Sequence, residues 1–149
     1  MLRHRLSTST LDELASGTFQ KLIPDTFAKD PGKVTRVVAC AGKVYYDLLE
    51  DAEKRGLDNV AIVRVEELYP FPRAELKAEL ARFPKARDVI WCQEEPMNQG
   101  AWYQIGHHLN ASIGAQHKLH YAGRARSAAP ACGKLATHLV EQAELLAQA

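Results

Sequence analysis

Residues 89–102 read Val-Ile-Trp-Cys-Gln-Glu-Glu-Pro-Met-Asn-Gln-Gly-Ala-Trp. The apolar run Val89 to Cys92 breaks abruptly into two carboxylates, a proline, two carboxamides and a glycine, and a helical pattern resumes at Trp102. A buried strand that hands polar groups to a loop at its carboxyl end, just ahead of a helix, is the building unit of an open α/β sheet. Ligands and partner surfaces gather at that edge.

The same unit recurs on both sides. Val34-Thr35-Arg36-Val37-Val38-Ala39-Cys40 is rich in β-branched residues, and a helical stripe of Tyr45, Leu48, Leu49 and Ala52 follows it, closed by Gly56. Asn59 to Val65 repeats the strand. Leu68-Tyr69-Pro70-Phe71-Pro72 is a stiff connection whose second proline opens a helix with Leu76, Leu80 and Phe83 on its apolar face. Beyond residue 102, Trp102, Ile105, Leu109 and Ile113 share one stripe, a strand is predicted at Lys118 to Tyr121, and Leu135, Leu139, Ala143 and Leu146 mark the inner side of a last helix. Near the amino end, Thr10-Leu11-Asp12-Glu13 has the capping-box form, so a short helix begins at about Leu11 and stops at Gly17. Thr18 to Ile23 reads as an edge strand, because Pro24 follows it, and Asp25 to Lys33 as a loop. Strands alternating with helices require a mostly parallel sheet covered on both faces, since parallel neighbours need crossover connections.

At 149 residues the chain suits one domain, and 46% hydrophobic with 25% charged residues is a globular composition. Nineteen Lys and Arg against eighteen Asp and Glu leave a net charge of +1, which offers neither nucleic acid nor a membrane surface an electrostatic handle. The basic start, Met1 to Thr8, lacks the apolar core of a secretory signal, and no run approaches membrane-spanning length. Cys40, Cys92 and Cys132 lie far apart, without a CxxC pair, so a reducing, soluble compartment is the simplest reading.

Several chemistries are excluded by spelling. Gly42-Lys43 ends a strand as a phosphate loop would, but Val37 and Val44 occupy the places of its first glycine and its Ser/Thr. There is no GxGxxG, no GxSxG, and no Gly-Asp-Gly of the kind that carries thiamine diphosphate's magnesium. Glu94 and Glu95 are adjacent, so on an extended chain they point apart, and the expected role is to complement the helix N-terminus that follows. His107 and His108 fall off the apolar stripe of their helix and cannot converge on one ion, and His117 and His120 fall on opposite faces of a strand, so no metal site is expected. Neither Cys92 nor Cys132 has the cationic neighbour that thiolate chemistry needs. Arg124, Arg126 and Lys134 flank the small-residue loop Ser127 to Gly133 ahead of the last helix, a candidate anion site against the alternative of a solvated basic edge.

Assembled, these residues show a resemblance to a known family. Leu2-Arg3-His4, Ala15-Ser16-Gly17-Thr18-Phe19, Ala41 to Leu48, Arg64-Val65-Glu66-Glu67-Leu68-Tyr69-Pro70-Phe71-Pro72, Gln93 to Trp102, Tyr121 to Gly133, His138 and Glu141-Gln142 occur in the order found in the C-terminal region of the thiamine-dependent first component of 2-oxoglutarate dehydrogenase, which the chain closely resembles. The resemblance implies a transketolase-type C-terminal domain: a three-layer α/β/α fold on a mixed, mostly parallel five-stranded sheet whose first strand is antiparallel. Residues 1–16 would be linker and short helix, and residues 17–149 the domain. It implies a parent enzyme that decarboxylates 2-oxoglutarate on thiamine diphosphate and magnesium and passes succinyl to the lipoyl arm of a dihydrolipoyl succinyltransferase complex, as a homodimer. The expected place is the bacterial cytoplasm, or the mitochondrial matrix in a eukaryote. None of the family's cofactor or substrate motifs lies in this chain, so no catalytic, cofactor-binding or metal residue is carried over, and the chain alone is expected to be inactive. Glu94, Glu95, Asn98 and Gln99 would face the cofactor-binding domains. Some relatives bind an acyl-CoA or nucleotide regulator between this domain and its neighbour, which makes the region of Arg124, Arg126 and Lys134 a candidate effector site for acyl-CoA or AMP-like anions. Cys132 stands where relatives often have threonine, so a hydroxyl there is not required.

Overall fold

A computed structural model describes residues 6–149; the basic start and the Leu2-Arg3-His4 match fall mostly or wholly outside the described residues. Five strands, β1 (Leu22–Ile23), β2 (Arg36–Cys40), β3 (Val60–Val65), β4 (Asp88–Pro96) and β5 (Lys118–Arg124), form one sheet in the order β1-β3-β2-β4-β5. β1 is antiparallel to β3 and the other pairs are parallel. Helices α1 (Leu11–Ser16), α2 (Val44–Arg55), α3 (Arg73–Leu80), α4 (Trp102–Ser112) and α5 (Leu135–Gln148) complete the chain. The mixed five-stranded sheet and its helical layers are those implied by the resemblance.

Period-two alternation divides the core. Val37, Ala39, Val63, Val89 and Trp91 point toward Leu76, Leu80, Ile105 and Leu109 of α3 and α4. Val38, Cys40, Ile62, Ile90 and Cys92 point toward Val44, Leu48, Ala52 of α2 and Leu145 of α5. Cys40 and Cys92 sit opposite each other in the β2/β4 register and act as small core hydrophobes. The strands are continuous apolar runs because both faces are covered. α2 ends as its sequence requires, on Gly56 at φ +63.

Four boundaries differ from the sequence reading, each for a tertiary reason. The edge strand is only Leu22–Ile23, not Thr18 to Ile23, because β3 offers it partners at Arg64 and Val65 alone. β4 does not stop at Cys92 but carries Gln93, Glu94 and Glu95 as far as Pro96, paired with a β5 that itself runs on from Tyr121 to Arg124. α3 ends at Leu80, so Phe83 reaches the core from the turn beyond it. The inner face of α5 follows the predicted stripe only at its end: Leu135 and Leu139 are 73% and 59% exposed, Leu146 is partly buried against the core, and the one buried residue of the helix is Leu145, outside the stripe. The helix touches β5 with its last turns and leaves its first two turns in solvent.

Where β1 stops, a side chain takes over from the backbone. The buried carboxylate of Asp25 accepts the Ile62 N–H of β3 at 2.8 Å, together with the Ala28 N–H at 2.9 Å and the Phe27 N–H at 3.3 Å. Buried Glu79 on α3 accepts the Asp25 N–H at 2.9 Å and is paired by Arg82 at 2.6 Å. The pair ties the edge of the sheet to the helix layer. Asp25→Ala leaves three amides without this acceptor, and hydrogen bonds to charged groups contribute about 1.5–3 kcal/mol each. The expected loss is roughly 3 kcal/mol, measured as a lower urea midpoint at unchanged slope.

Candidate functional site

In the strand order β1-β3-β2-β4-β5 the connection leaving β2 runs to β3 on one side and the connection leaving β4 runs to β5 on the other, which opens a crevice at the carboxyl ends of β2 and β4. The register of β4 on β5 slips between Gln93 and Pro96, so Glu94 and Glu95 form a bulge, and a bulge re-aims the side chains it carries. They diverge. Glu94 crosses the crevice to Lys43, just after β2, at 3.1 Å. Glu95 turns the other way, and its carboxylate lies by Gly100, ahead of α4.

Glu94 belongs to a closed polar group. Lys43 also pairs with Asp47 one turn along α2, and Gln142 of α5 donates to the same Asp47 oxygen at 3.0 Å. Partial burial works against the Lys43 ammonium, but its hydrogen bonds to Asp47 and Glu94 outweigh that and raise its pKa. Lys43 therefore stays charged at neutral pH, and Glu94 is held in a structural ion pair.

The residue that organises the edge is Gln93, buried between α4 and the loop after β4. Its Oε1 accepts the Trp91 indole N–H and the Trp102 backbone N–H, each at 3.0 Å. Its Nε2 lies within donating distance of the carbonyls of Gln99 at 2.7 Å, Pro96 at 3.2 Å and Glu95 at 3.3 Å. The first free N–H of α4 is thus satisfied by Gln93 and not by a neighbouring carboxylate, which corrects the sequence expectation for Glu94. Gly100 is required beside it: φ is +64, and a Cβ would lie 2.8 Å from the Gln93 nitrogen. The role of Gln93 is not legible from its local sequence, where it is one residue of the Gln93 to Trp102 motif. The available signal was a lone carboxamide ending an apolar strand just before a helix.

Asn98 and Gln99 turn toward the loop before α5. Asn98 exchanges two hydrogen bonds of 2.9 Å with the Ser127 backbone, and Gln99 donates to the Ser127 carbonyl at 3.0 Å. Both side chains are bonded within the domain. Arg124 donates to Glu141 at 2.6 Å and to the Pro130 carbonyl at 2.9 Å, whereas Arg126 donates to the Tyr103 hydroxyl at 2.8 Å on α4. Lys134 is the exposed residue ahead of α5. Arg126 is tied to α4, whereas Arg124 and Lys134 both meet α5, about two turns apart along it. The cleft that holds Arg124 is also lined by Glu94, whose carboxylate is paired with Lys43. This geometry does not favour an acyl-CoA or AMP site.

The histidines are dispersed. His108 stacks on Phe71 at 5.6 Å and bonds to Arg73, and desolvation with the nearby His107 and Arg73 lowers its pKa. His117, just before β5, accepts the Gly114 N–H at 3.1 Å, and His120 pairs with Asp88 at 2.9 Å. Among the described residues no three His, Cys, Asp or Glu side chains are grouped to hold a metal ion.

Two measurements test this account. Gln93→Leu keeps the side-chain volume but strands the Trp91 and Trp102 N–H groups, at about 1–3 kcal/mol for each buried unpaired donor, so the urea midpoint falls by an amount equivalent to roughly 3 kcal/mol. Burial pushes the Cys40 thiol well up and the Cys92 thiol to about 12, so both are protonated at pH 8. Iodoacetamide should then modify Cys132 first, with Cys40 and Cys92 reacting only on unfolding, as read by mass spectrometry.

Comparison with known proteins agrees with this architecture. The family described as 2-oxoglutarate dehydrogenase C-terminal matches residues 8–149. The 2-oxoglutarate dehydrogenase E1 component of Azotobacter vinelandii is 49% identical over 152 residues, covering all of this chain and 16% of that protein. Those of Haemophilus influenzae and Coxiella burnetii are 48% and 49% identical, again across the whole chain and 16% of their own length. By a match that spans both core layers and the whole carboxyl edge, this chain belongs to the 2-oxoglutarate dehydrogenase C-terminal family.

Proposed function

We propose that this chain is the C-terminal assembly domain of a 2-oxoglutarate dehydrogenase first component. In this reading residues 17–149 are the domain and residues 1–16 the linker and short helix joining it to the cofactor-binding domains. The complete enzyme decarboxylates 2-oxoglutarate and passes succinyl to the lipoyl arm of a dihydrolipoyl succinyltransferase. It works as a homodimer, in the cytoplasm of a bacterium. The observation that carries the reading is the match of residues 8–149 to the 2-oxoglutarate dehydrogenase C-terminal family, together with E1 components 49% identical across the whole chain, of which the chain spans 16%. No helix of the described residues is long and apolar enough to cross a membrane.

The residues present do not fit the magnesium that accompanies thiamine diphosphate. Magnesium needs converging oxygen donors, yet Glu94 is paired with Lys43, Asp47 is shared by Lys43 and Gln142, and no grouped donor set exists among the described residues. No step of the decarboxylation is assigned to this chain. Its contribution is to hold a carboxyl edge of fixed shape, with Glu94, Glu95, Asn98 and Gln99 at the boundary facing the cofactor domains. Rigidity supports that role, because internal bonds immobilise Glu94, Asn98 and Gln99 before a partner arrives. Supplied with thiamine diphosphate, magnesium, 2-oxoglutarate and an artificial electron acceptor, the 149-residue chain should show no turnover above a protein-free blank. Reproducible turnover would overturn the assignment.

A further inference from the structure

The segment ahead of β1 is built but not packed. Thr10 and Glu13 complete both halves of the capping box, with Thr10 N–H donating to Glu13 Oε2 at 2.7 Å and Glu13 N–H to Thr10 Oγ1 at 3.2 Å. Gly17 closes the helix by donating to the Glu13 carbonyl at 2.9 Å, an approach so close that a Cβ would lie 2.2 Å from that oxygen. Yet α1 buries no residue, and every position from 8 to 21 is exposed. Leu11 and Leu14 share a face at i, i+3 spacing and are 83% and 73% exposed, and Phe19 just beyond is 72% exposed.

A six-residue helix is far below the ~12–15 residues at which an isolated helix becomes marginal in water, and most helical stability comes from burying an apolar face. Local capping of this quality joined to three uncovered large side chains describes an element made to be covered by something else. The size of the patch selects the occupant. Two leucines and a phenylalanine fall well short of the roughly 800 Å² per partner of a stable interface between separate molecules. A partner on the same polypeptide avoids most of the translational and rotational cost of association and can be held by so small a contact. The relatives are about six times longer than this chain, which matches their C-terminal part, and α1 is the first described element on the side where such a polypeptide would join.

We propose that Leu11, Leu14 and Phe19 form a plug that seats in an apolar depression on the polypeptide preceding this domain in the full-length protein. The plug fixes the domain's orientation at its point of attachment, where the chain enters β1 beside Val65 at the carboxyl end of β3. This rests on the assembly-domain reading and adds to it a second contact.

Hydrogen exchange followed by mass spectrometry tests the plug. In the full-length protein the amides of residues 11–16 should exchange at least ~100-fold more slowly than in the 149-residue chain, where they should be close to unprotected. The double substitution Leu11→Asp with Leu14→Asp should abolish that difference while leaving the melting temperature of the 149-residue chain unchanged. Equal exchange in the two forms overturns the proposal. So does protection in the 149-residue chain that disappears on dilution, which would assign the face to a second copy. A full-length protein that turns over 2-oxoglutarate with α1 unprotected removes the plug and leaves the assembly-domain reading intact. A full-length protein without that activity removes the function, and the exchange comparison can still be read.

Discussion

The buried carboxamide of Gln93 is the constraint on which the carboxyl edge depends. A carboxamide is the one uncharged side-chain group that offers an acceptor with two lone pairs and two donors at the same point. Here the acceptor joins the Trp91 indole to the start of α4, and the donors gather the carbonyls of the loop between them. β4, the loop and α4 are thereby locked as one piece. The bulge at Glu94 and Glu95, the clamp of Asn98 and Gln99 on Ser127, and the bridge from Glu94 to Lys43 are all positioned from it. An aliphatic residue of similar shape would fill the volume and leave buried polar groups on three segments unpaired.

Asp25 has the same function at the opposite edge of the sheet. One carboxylate replaces the strand that β1 does not continue into, and Glu79 with Arg82 anchors it to α3. In both places a polar side chain buried in the core defines a boundary that hydrophobic burial, which is non-directional, does not set. The core supplies cohesion, and these two residues supply the ends of the pattern.

A family can be recognised from this chain without any catalytic group in it, and the geometry gives a physical reason why the edge motifs are informative. Gln93, Gly100 and Trp102 occur together because one needs a close glycine and the other supplies an N–H to the same carboxamide. Lys43 follows β2 at the place where Glu94 arrives from β4. Such residues form interlocking sets, and their spacing in the chain reflects contacts across the sheet and not chemistry on a substrate.

Sequence alone determined the alternation of strands and helices, the capping box at Thr10, the left-handed stop at Gly56 and the edge position of the first strand. These follow from periodicity and local backbone chemistry, which act over a few residues. It also carried the family resemblance, because long ordered motifs need no coordinates. Only the tertiary structure decided that β1 is two residues long, that β4 runs through its own carboxylates, and that the helix following them is satisfied by Gln93. Only it revealed that Leu135 and Leu139 face solvent while Leu145 faces the sheet. The apolar stripe on α5 is real, but a helix reports its hydrophobic side without reporting which turn meets the sheet, and that point of contact is set by where β5 ends. The same limit applies to Arg124, Arg126 and Lys134, near neighbours in the chain of which Arg126 is tied to α4 while Arg124 and Lys134 meet different turns of α5.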